Sequence, residues 1–197
     1  VPGFIYSPKG TGKQTGFAIK HTPKILAALE DYFGMKYPYK KLDFIAVPDY
    51  AFGAMENPGL VTYRTELLLR GDTASARDAD SSLNVIAHEL AHMWYGDLVT
   101  MKWWNDLWLN EAFASWMAAK VTHKLHPEFG SNLSLPQNNV MAMDARLSTK
   151  PIRKPIKTED DIMDGLGLAY SKGSAVLSMV ENWIGEEDFK KGIQAYI

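Results

Sequence analysis

The sequence has 197 residues, of which 46% are hydrophobic and 22% are charged, with a formal net charge of −2. This composition is typical of a globular domain, and the near-neutral charge gives no electrostatic basis for binding nucleic acid or an anionic membrane. No apolar run reaches the roughly 18 residues of a membrane-spanning helix. Cysteine is absent, which excludes disulfides and a cysteine nucleophile, so any metal must be bound by His, Asp or Glu.

The first half of the chain predicts one helix and two strands. Residues 1–18 lack an apolar period and the spacing of a phosphate-binding loop, so they predict a connecting loop. Apolar residues recur at helical spacing over residues 22–33, and Gly34 is expected to end that helix. Residues 42–47 and 59–63 each predict a short strand.

The second half predicts mainly helices. Asp, Ser and Thr side chains between positions 72 and 82 can cap a helix over residues 81–95, which Gly96 should end. Asn105 or Asp106 can cap the next helix, which should run to about residue 125. Prolines, including Pro136, interrupt residues 126–160, and further helices are expected over residues 138–145, 169–184 and 187–197. Strands followed by helices predict an α+β fold.

The segment HELAH holds the candidate metal ligands His88 and His92. On a helix, these two positions lie one turn apart on the same face, while the intervening Glu89 projects near the same edge. A short motif of this kind can also consist of ordinary core histidines. Glu111, on the next predicted helix, supplies the third ligand that a tetrahedral catalytic zinc requires, and the fourth position remains open to water. The combination predicts one catalytic Zn²⁺.

Three motifs, read in order, resemble the aminopeptidase N family of zinc metallopeptidases. They are GAMEN at residues 53–57, HELAHMWYGDLVT followed by WWNDLWLNEAFASW, and a tyrosine followed by x-Lys-Gly at residues 170–173. The similarity runs from about Phe17 to the C-terminus. It implies that residues 1–197 form most of one thermolysin-like catalytic domain, a small mixed sheet followed by a mainly helical part. Because the chain starts at Val1 without Met and stops within a predicted helix, we expect a piece of a longer protein whose N-terminal β-domain and C-terminal helical domain are missing.

The resemblance implies a role for each motif residue. His88, His92 and Glu111 bind zinc, Glu89 is the general base for a zinc-activated water, and Tyr170 stabilises the oxyanion. Glu56 pairs with the free α-ammonium group of a peptide, so that only the N-terminal bond is cut. The remaining GAMEN residues contact the substrate, and the backbone around Gly53 and Ala54 can pair with it as an added strand. They are Gly53, Ala54, Met55 and Asn57.

The expected partners are peptides with a free N-terminus and the missing domains of the parent protein, with no nucleic acid and no membrane segment. Three other functions stay open: a thermolysin-like endopeptidase, an epoxide hydrolase and a catalytically silent scaffold of the same fold. GAMEN disfavours the endopeptidase, and Ala54 disfavours the epoxide-hydrolase branch, which resembles GGMEN. The compartment is not determined, although the absence of cysteine slightly favours the cytoplasm.

Several neighbouring residues carry weaker predictions. Ala112 stands where the family usually has glycine, a change that should not disturb Glu111. Asp106 and Asn110 are candidates for orienting the ligands, although Asp106 is as readily explained as a helix cap. Lys102 and Lys172 are expected to be surface or packing charges. The tryptophans are expected to form core packing around the site; they include Trp94, Trp103, Trp104, Trp108 and Trp116.

Overall fold

The structure is a computed structural model that describes residues 1–71, 74–129 and 137–197. Within these ranges it has the α+β architecture that the order of elements predicts, with a small mixed sheet followed by a mainly helical part. None of the helices in these ranges carries a stretch long and apolar enough to cross a lipid bilayer.

The sheet has four strands, β1 (Ile5–Tyr6), β2 (Asp43–Val47), β3 (Ala54–Met55) and β4 (Leu60–Arg64). Their order in the sheet is β1-β2-β4-β3. Strands β1, β2 and β4 run parallel, and β3 pairs antiparallel with β4 at the edge of the sheet. In β4, Val61 and Tyr63 are fully buried on one face, as expected for a half-buried strand. The two predicted strands are confirmed, whereas the two-residue strands were not predicted because they are too short to show a period.

The first helix, α1 (Gly16–Phe33), begins six residues before the predicted start. Its first turns follow a 3₁₀ segment, Gly12–Thr15, so the predicted connecting loop is wrong over residues 12–18. That segment is polar, yet α1 buries Ala18 against the core, which periodicity alone did not indicate. The predicted stop is confirmed, because Gly34 adopts the left-handed conformation with φ of 64°.

Helix α3 (Ala76–His92) holds the HELAH segment in its last turns. It starts before residue 81 because Ser75 and Asp78 form a capping box, in which each side chain accepts a hydrogen bond from the other residue's backbone. It ends at His92, earlier than residue 95, and the chain then turns through Gly96. Asp72 and Thr73, within the predicted capping segment, lie outside the described residues.

Two long helices, α4 (Leu107–Leu125) and α7 (Leu166–Ile184), pack with α3 around the functional residues. Helix α4 is buried on almost every side because α3, α7 and α1 all contact it. The predicted helices over residues 138–145, 169–184 and 187–197 are confirmed with shifted ends, and Pro136 lies outside the described residues. The remaining helices are α2 (Thr65–Leu68), α5 (Gln137–Asp144), α6 (Glu159–Met163) and α8 (Glu186–Tyr196), with 3₁₀ segments at Trp104–Asp106 and Pro127–Phe129.

The tryptophans divide into a buried and an exposed group. Trp94 and Trp116 belong to the core, as predicted. Trp103 and Trp104 are 57% and 43% exposed, so the prediction of core packing is wrong for them. Both lie in the segment that leads into α4, where the chain runs along the surface. The indole N–H of Trp103 donates to the carbonyl of Ile156.

Candidate active site

Three side chains from two helices converge on one point. His88 and His92 lie one turn apart on α3, and their Nε2 atoms are 3.1 Å from each other. Glu111 reaches them from α4, with its Oε2 3.3 Å from His88 Nε2 and 3.5 Å from His92 Nε2. In the described part of the chain, no other set of three His, Asp or Glu side chains brings its donor atoms within 4.8 Å of one another. The structure therefore brings the three predicted ligands together.

The electrostatics of this cluster favour a cation. Burial lowers the pKa of His88. Burial also opposes charge on His92, but the carboxylates of Glu111 and Glu56 outweigh it and raise the pKa of His92 to about 10. Burial opposes charge on Glu111 as well, yet hydrogen bonds from both imidazoles lower its pKa well below the usual range. A positive charge placed among these groups is therefore stabilised.

Glu89 is buried beside the ligands without being one of them. Its side chain is 5% exposed, and its Oε2 has no hydrogen-bond partner among the described residues. Burial is the main reason that the pKa of Glu89 rises to about 8, and the nearby carboxylates of Glu56 and Glu111 add to the effect. A buried carboxyl group whose pKa lies near neutrality can both accept and return a proton.

Tyr170 reaches the cluster from α7. Its ring stacks on the imidazole of His88, with centroids 5.8 Å apart and planes tilted by 23°. Burial, together with the Glu111 carboxylate, raises the pKa of Tyr170, so its hydroxyl stays protonated and remains a donor. Helix α7 approaches α4 closely at Gly173, where an added Cβ would overlap the Cβ of Ala112. The alanine at position 112 thus packs against this glycine and leaves Glu111 in place.

The GAMEN segment forms the neighbouring wall at the edge of the sheet. Gly53, Ala54, Met55 and Glu56 line the cleft, and β3 has β4 as its partner on one side only in the described structure. Glu56 Oε1 lies 3.8 Å from Nδ1 of His92. Asn57 is not among the residues that line the cleft, and its side-chain amide donates to Thr62 Oγ1 over 3.3 Å.

The cleft above these groups has a volume of about 570 Å³. Its walls are largely apolar, and its polar groups are concentrated at the cluster, as is usual for small-molecule and peptide sites. The sequence offered little sign of these walls, because they come from segments far apart in the chain. Their apolar residues include Val85, Met101, Trp104, Leu107, Ile162 and Leu166.

The weaker predictions have mixed outcomes. Asp106 precedes α4 but makes no capping hydrogen bond, and its carboxylate instead pairs with Arg153 at 2.6 Å. Asn110 is buried and lines the cleft, and its Oδ1 lies where a Cβ at Gly96 would be. Lys172 forms an ion pair with Asp144, whose Oδ2 lies 2.7 Å from its Nζ, which agrees with the prediction of a surface or packing role.

One contact of the site was missed from the sequence. Ser115 Oγ lies 3.3 Å from His88 Nδ1. Its signal in the sequence is its position four residues after Glu111, on the same face of a helix.

The fold and the donor set together define a metallopeptidase-like catalytic domain of the H-E-x-x-H class. A comparison with known protein families matches residues 17–197 to the peptidase family M1 domain. The chain belongs to that family.

Individual relatives align with nearly the whole chain. It is 41% identical over 201 residues to "Probable aminopeptidase 2" of Sulfurisphaera tokodaii, covering 100% of the chain and 25% of that protein. It is 44% identical over 197 residues to "Endoplasmic reticulum aminopeptidase 2" of Homo sapiens, covering 98% of the chain and 20% of that protein. It is 41% identical over 202 residues to "Alanine/arginine aminopeptidase" of Saccharomyces cerevisiae, covering 100% of the chain and 24% of that protein. The chain thus spans a quarter or less of the length of these relatives.

Proposed function

We propose that the chain carries the catalytic residues of a zinc-dependent aminopeptidase that hydrolyses the N-terminal peptide bond of peptides. The observation that carries the proposal is the convergence of two imidazoles and one carboxylate beside a further, unligated glutamate at an open cleft. Family membership and the names of the relatives support the same activity. We also propose that the chain forms most of one thermolysin-like catalytic domain.

The donor atoms fit zinc in both type and spacing. Ligand atoms about 2.0–2.1 Å from a tetrahedral zinc lie about 3.3–3.4 Å from one another. The three donor atoms here are 3.1, 3.3 and 3.5 Å apart. Two imidazole nitrogens with one carboxylate also suit zinc better than calcium or magnesium, which prefer oxygen ligands. His88, His92 and Glu111 would hold one Zn²⁺ ion.

The surrounding residues supply the rest of the chemistry. When bound, zinc acts as a Lewis acid that polarises the scissile carbonyl and lowers the pKa of a water molecule. Glu89 takes the proton of the attacking water at its unpaired Oε2 and returns it to the leaving amine. The Tyr170 hydroxyl, held in its protonated form, donates to the oxygen on which negative charge develops.

Glu56 determines where the peptide is cut. Its carboxylate lies beside the ligands, where it can pair with a substrate α-ammonium group. The unpaired side of β3 can take up the peptide backbone as an added strand, which places the first peptide bond at the metal. An endopeptidase has no use for this ammonium anchor.

Two measurements test the proposal. The purified protein should contain about one equivalent of zinc, and it should hydrolyse an aminoacyl-arylamide much faster than the same compound with an acetylated amine. Glu56→Gln should reduce that difference, while Glu66→Gln, a matched change at an exposed position of α2, should not. Equal rates on the free and acetylated compounds would favour the endopeptidase, and absence of zinc would favour the silent scaffold.

A further inference from the structure

The two ring nitrogens of His88 face different partners. Nε2 points toward the convergence point, 3.1 Å from His92 Nε2 and 3.3 Å from Glu111 Oε2. Nδ1 points away from that point, and the Oγ atom of Ser115 lies 3.3 Å from it. One side chain on α4 therefore contacts the nitrogen that faces away from the metal site.

A nitrogen that binds a metal carries no hydrogen, so the hydrogen of a neutral imidazole must sit on the other nitrogen. If His88 binds through Nε2, its Nδ1–H needs an acceptor, and Ser115 Oγ is at hydrogen-bond distance. We propose that Ser115 is a positioning residue of the metal site, whose hydroxyl accepts the Nδ1–H of His88 and holds Nε2 toward the metal. This inference rests on the zinc site proposed above.

The other histidine is oriented by a different kind of partner. His92 Nδ1 lies 3.1 Å from the backbone carbonyl of Tyr95. The chain turn that follows α3 fixes this carbonyl, and no change of the Tyr95 side chain removes it. The orientation of His88, in contrast, depends on one hydroxyl group that a single substitution can delete.

The placement of Ser115 on α4 joins two functions in one helix. Glu111 and Ser115 are four residues apart and therefore lie on the same face, one turn from each other. Packing of α4 on α3 thus brings the third ligand and the partner of the first ligand into position together. Tyr170 covers the face of the His88 ring, while a hydrogen bond with Ser115 opposes rotation of the ring about its Cβ–Cγ bond.

Removal of the hydroxyl should weaken zinc binding. Loss of a partner that orients a metal-binding histidine typically costs about 10- to 100-fold in metal affinity. We expect Ser115→Ala to raise the zinc dissociation constant by about tenfold or more, measured by competition with a chromophoric chelator. Ser115→Thr should retain most of the zinc affinity because threonine keeps the hydroxyl group. Valine has nearly the shape of threonine but no hydroxyl, so Ser115→Val should behave like Ser115→Ala.

Ser174→Ala is the matched control. Ser174 is also a half-buried helical serine at the interface of α4 and α7, but its Oγ donates to the backbone carbonyls of Ala112 and Tyr170 and not to a histidine. The Ser174→Ala variant should bind zinc with the same affinity as the unsubstituted protein. The melting temperature of each metal-free variant reports separately on a purely structural effect.

The outcomes separate this inference from the zinc site itself. If the unsubstituted protein binds zinc and Ser115→Ala has the same dissociation constant, the role of Ser115 is overturned but the zinc site is not. Equal losses in the Thr and Val variants would also overturn it, because size rather than the hydroxyl would then matter. A parent that binds no zinc would overturn both proposals.

Discussion

Two histidine clusters in this molecule look alike in composition but differ in geometry. The metal-site cluster consists of His88, His92 and Glu111, described above. A second cluster, which we call the distal cluster, consists of His21 on α1 with His126 and Glu128 just beyond α4. Its imidazoles are almost as close as those of the metal-site cluster, with His21 Nδ1 3.2 Å from His126 Nε2. Glu128, however, lies 2.9 Å from the opposite nitrogen of His126, Nδ1.

Geometry separates a metal site from a chain of hydrogen bonds. In the metal-site cluster the carboxylate lies within 3.5 Å of both Nε2 atoms, so three donors share one point. In the distal cluster the carboxylate and the second imidazole lie on opposite sides of His126, so the groups form a line. The rings of Phe17 and Phe129 flank that line. Two imidazoles and a carboxylate are therefore insufficient for a metal site unless their donor atoms converge.

The largest expected difference between the clusters is in zinc affinity. Glu111→Gln should weaken zinc binding by roughly a hundred- to a thousandfold, because a four-ligand structural zinc site is worth about 10–16 kcal/mol, or about 2.5–4 kcal/mol per ligand. Glu128→Gln, the same substitution in the distal cluster, should leave the dissociation constant unchanged. Chelator competition measures both values. A comparable loss of zinc affinity in the two variants would contradict the argument that only the cluster with converging donor atoms binds zinc.

A second difference is that the metal-site cluster has a buried carboxylate that is not a ligand. Glu89→Gln should lower kcat by about 10²–10⁴-fold, the usual contribution of a general acid–base group. Zinc content should remain at the level of the parent, because Glu89 supplies no donor atom to the cluster. Steady-state hydrolysis of an aminoacyl-arylamide and metal analysis of the same sample give the two numbers. If zinc disappears together with activity, Glu89 acts as a ligand instead.

The effect of zinc on stability should be intermediate in size. A ligand present at 100 times its dissociation constant adds about 2.7 kcal/mol to the free energy of unfolding. Removal of zinc with a chelator should therefore lower the melting temperature, and addition of zinc should restore it. The His21→Gln variant should show the same zinc-dependent gain, whereas His92→Ala should show almost none. A gain that requires His21 would assign the metal to the distal cluster.

The smallest expected effect concerns pH and the distal cluster. Burial, followed by the nearby His126, Lys20 and Lys24, lowers the pKa of His21 from 6.5 to about 4. The unfolded chain then binds more protons than the folded chain below pH 6.5, so stability is present above that pH and falls as the pH drops toward 4. Between pH 7 and pH 5 this residue should cost the parent about 1–2 kcal/mol.

Urea unfolding at the two pH values checks this prediction. His21→Gln should lose less stability on acidification than the parent. Parallel losses in the parent and His21→Gln would show that other groups control the acid response.

Much of the metal-site cluster could be predicted from sequence because its spacing is local. His88 and His92 share a helix, so their separation follows from helical geometry alone. Glu111 lies on the next long helix and within a recognisable motif. Ser115 follows from the same helical spacing, but its partner, His88, is on another helix. That contact therefore depends on how α4 packs against α3.

The cleft was harder to predict. Trp104 and Leu107 lie within the motif that contains Glu111, yet no periodicity distinguishes a cleft wall from a core face. Ile162 and Leu166 come from α6 and the start of α7, between residues 160 and 169, where the sequence predicted no element. Asp106 shows a different kind of error. The sequence offered it as a helix cap, but its carboxylate accepts a hydrogen bond from Arg153, which is 47 residues away.

The helices that carry the ligands, the class of metal that these ligands suit and the family of the chain could all be read from the amino-acid sequence. These follow from residue types and from spacings within single elements, which the backbone geometry of a helix converts into distances. Helix packing, in contrast, brings Glu111 within reach of both imidazoles and arranges His21, His126 and Glu128 in a line. In that packing a side chain's partner comes from a distant segment, and buried groups accept only arrangements that satisfy their charges and hydrogen bonds.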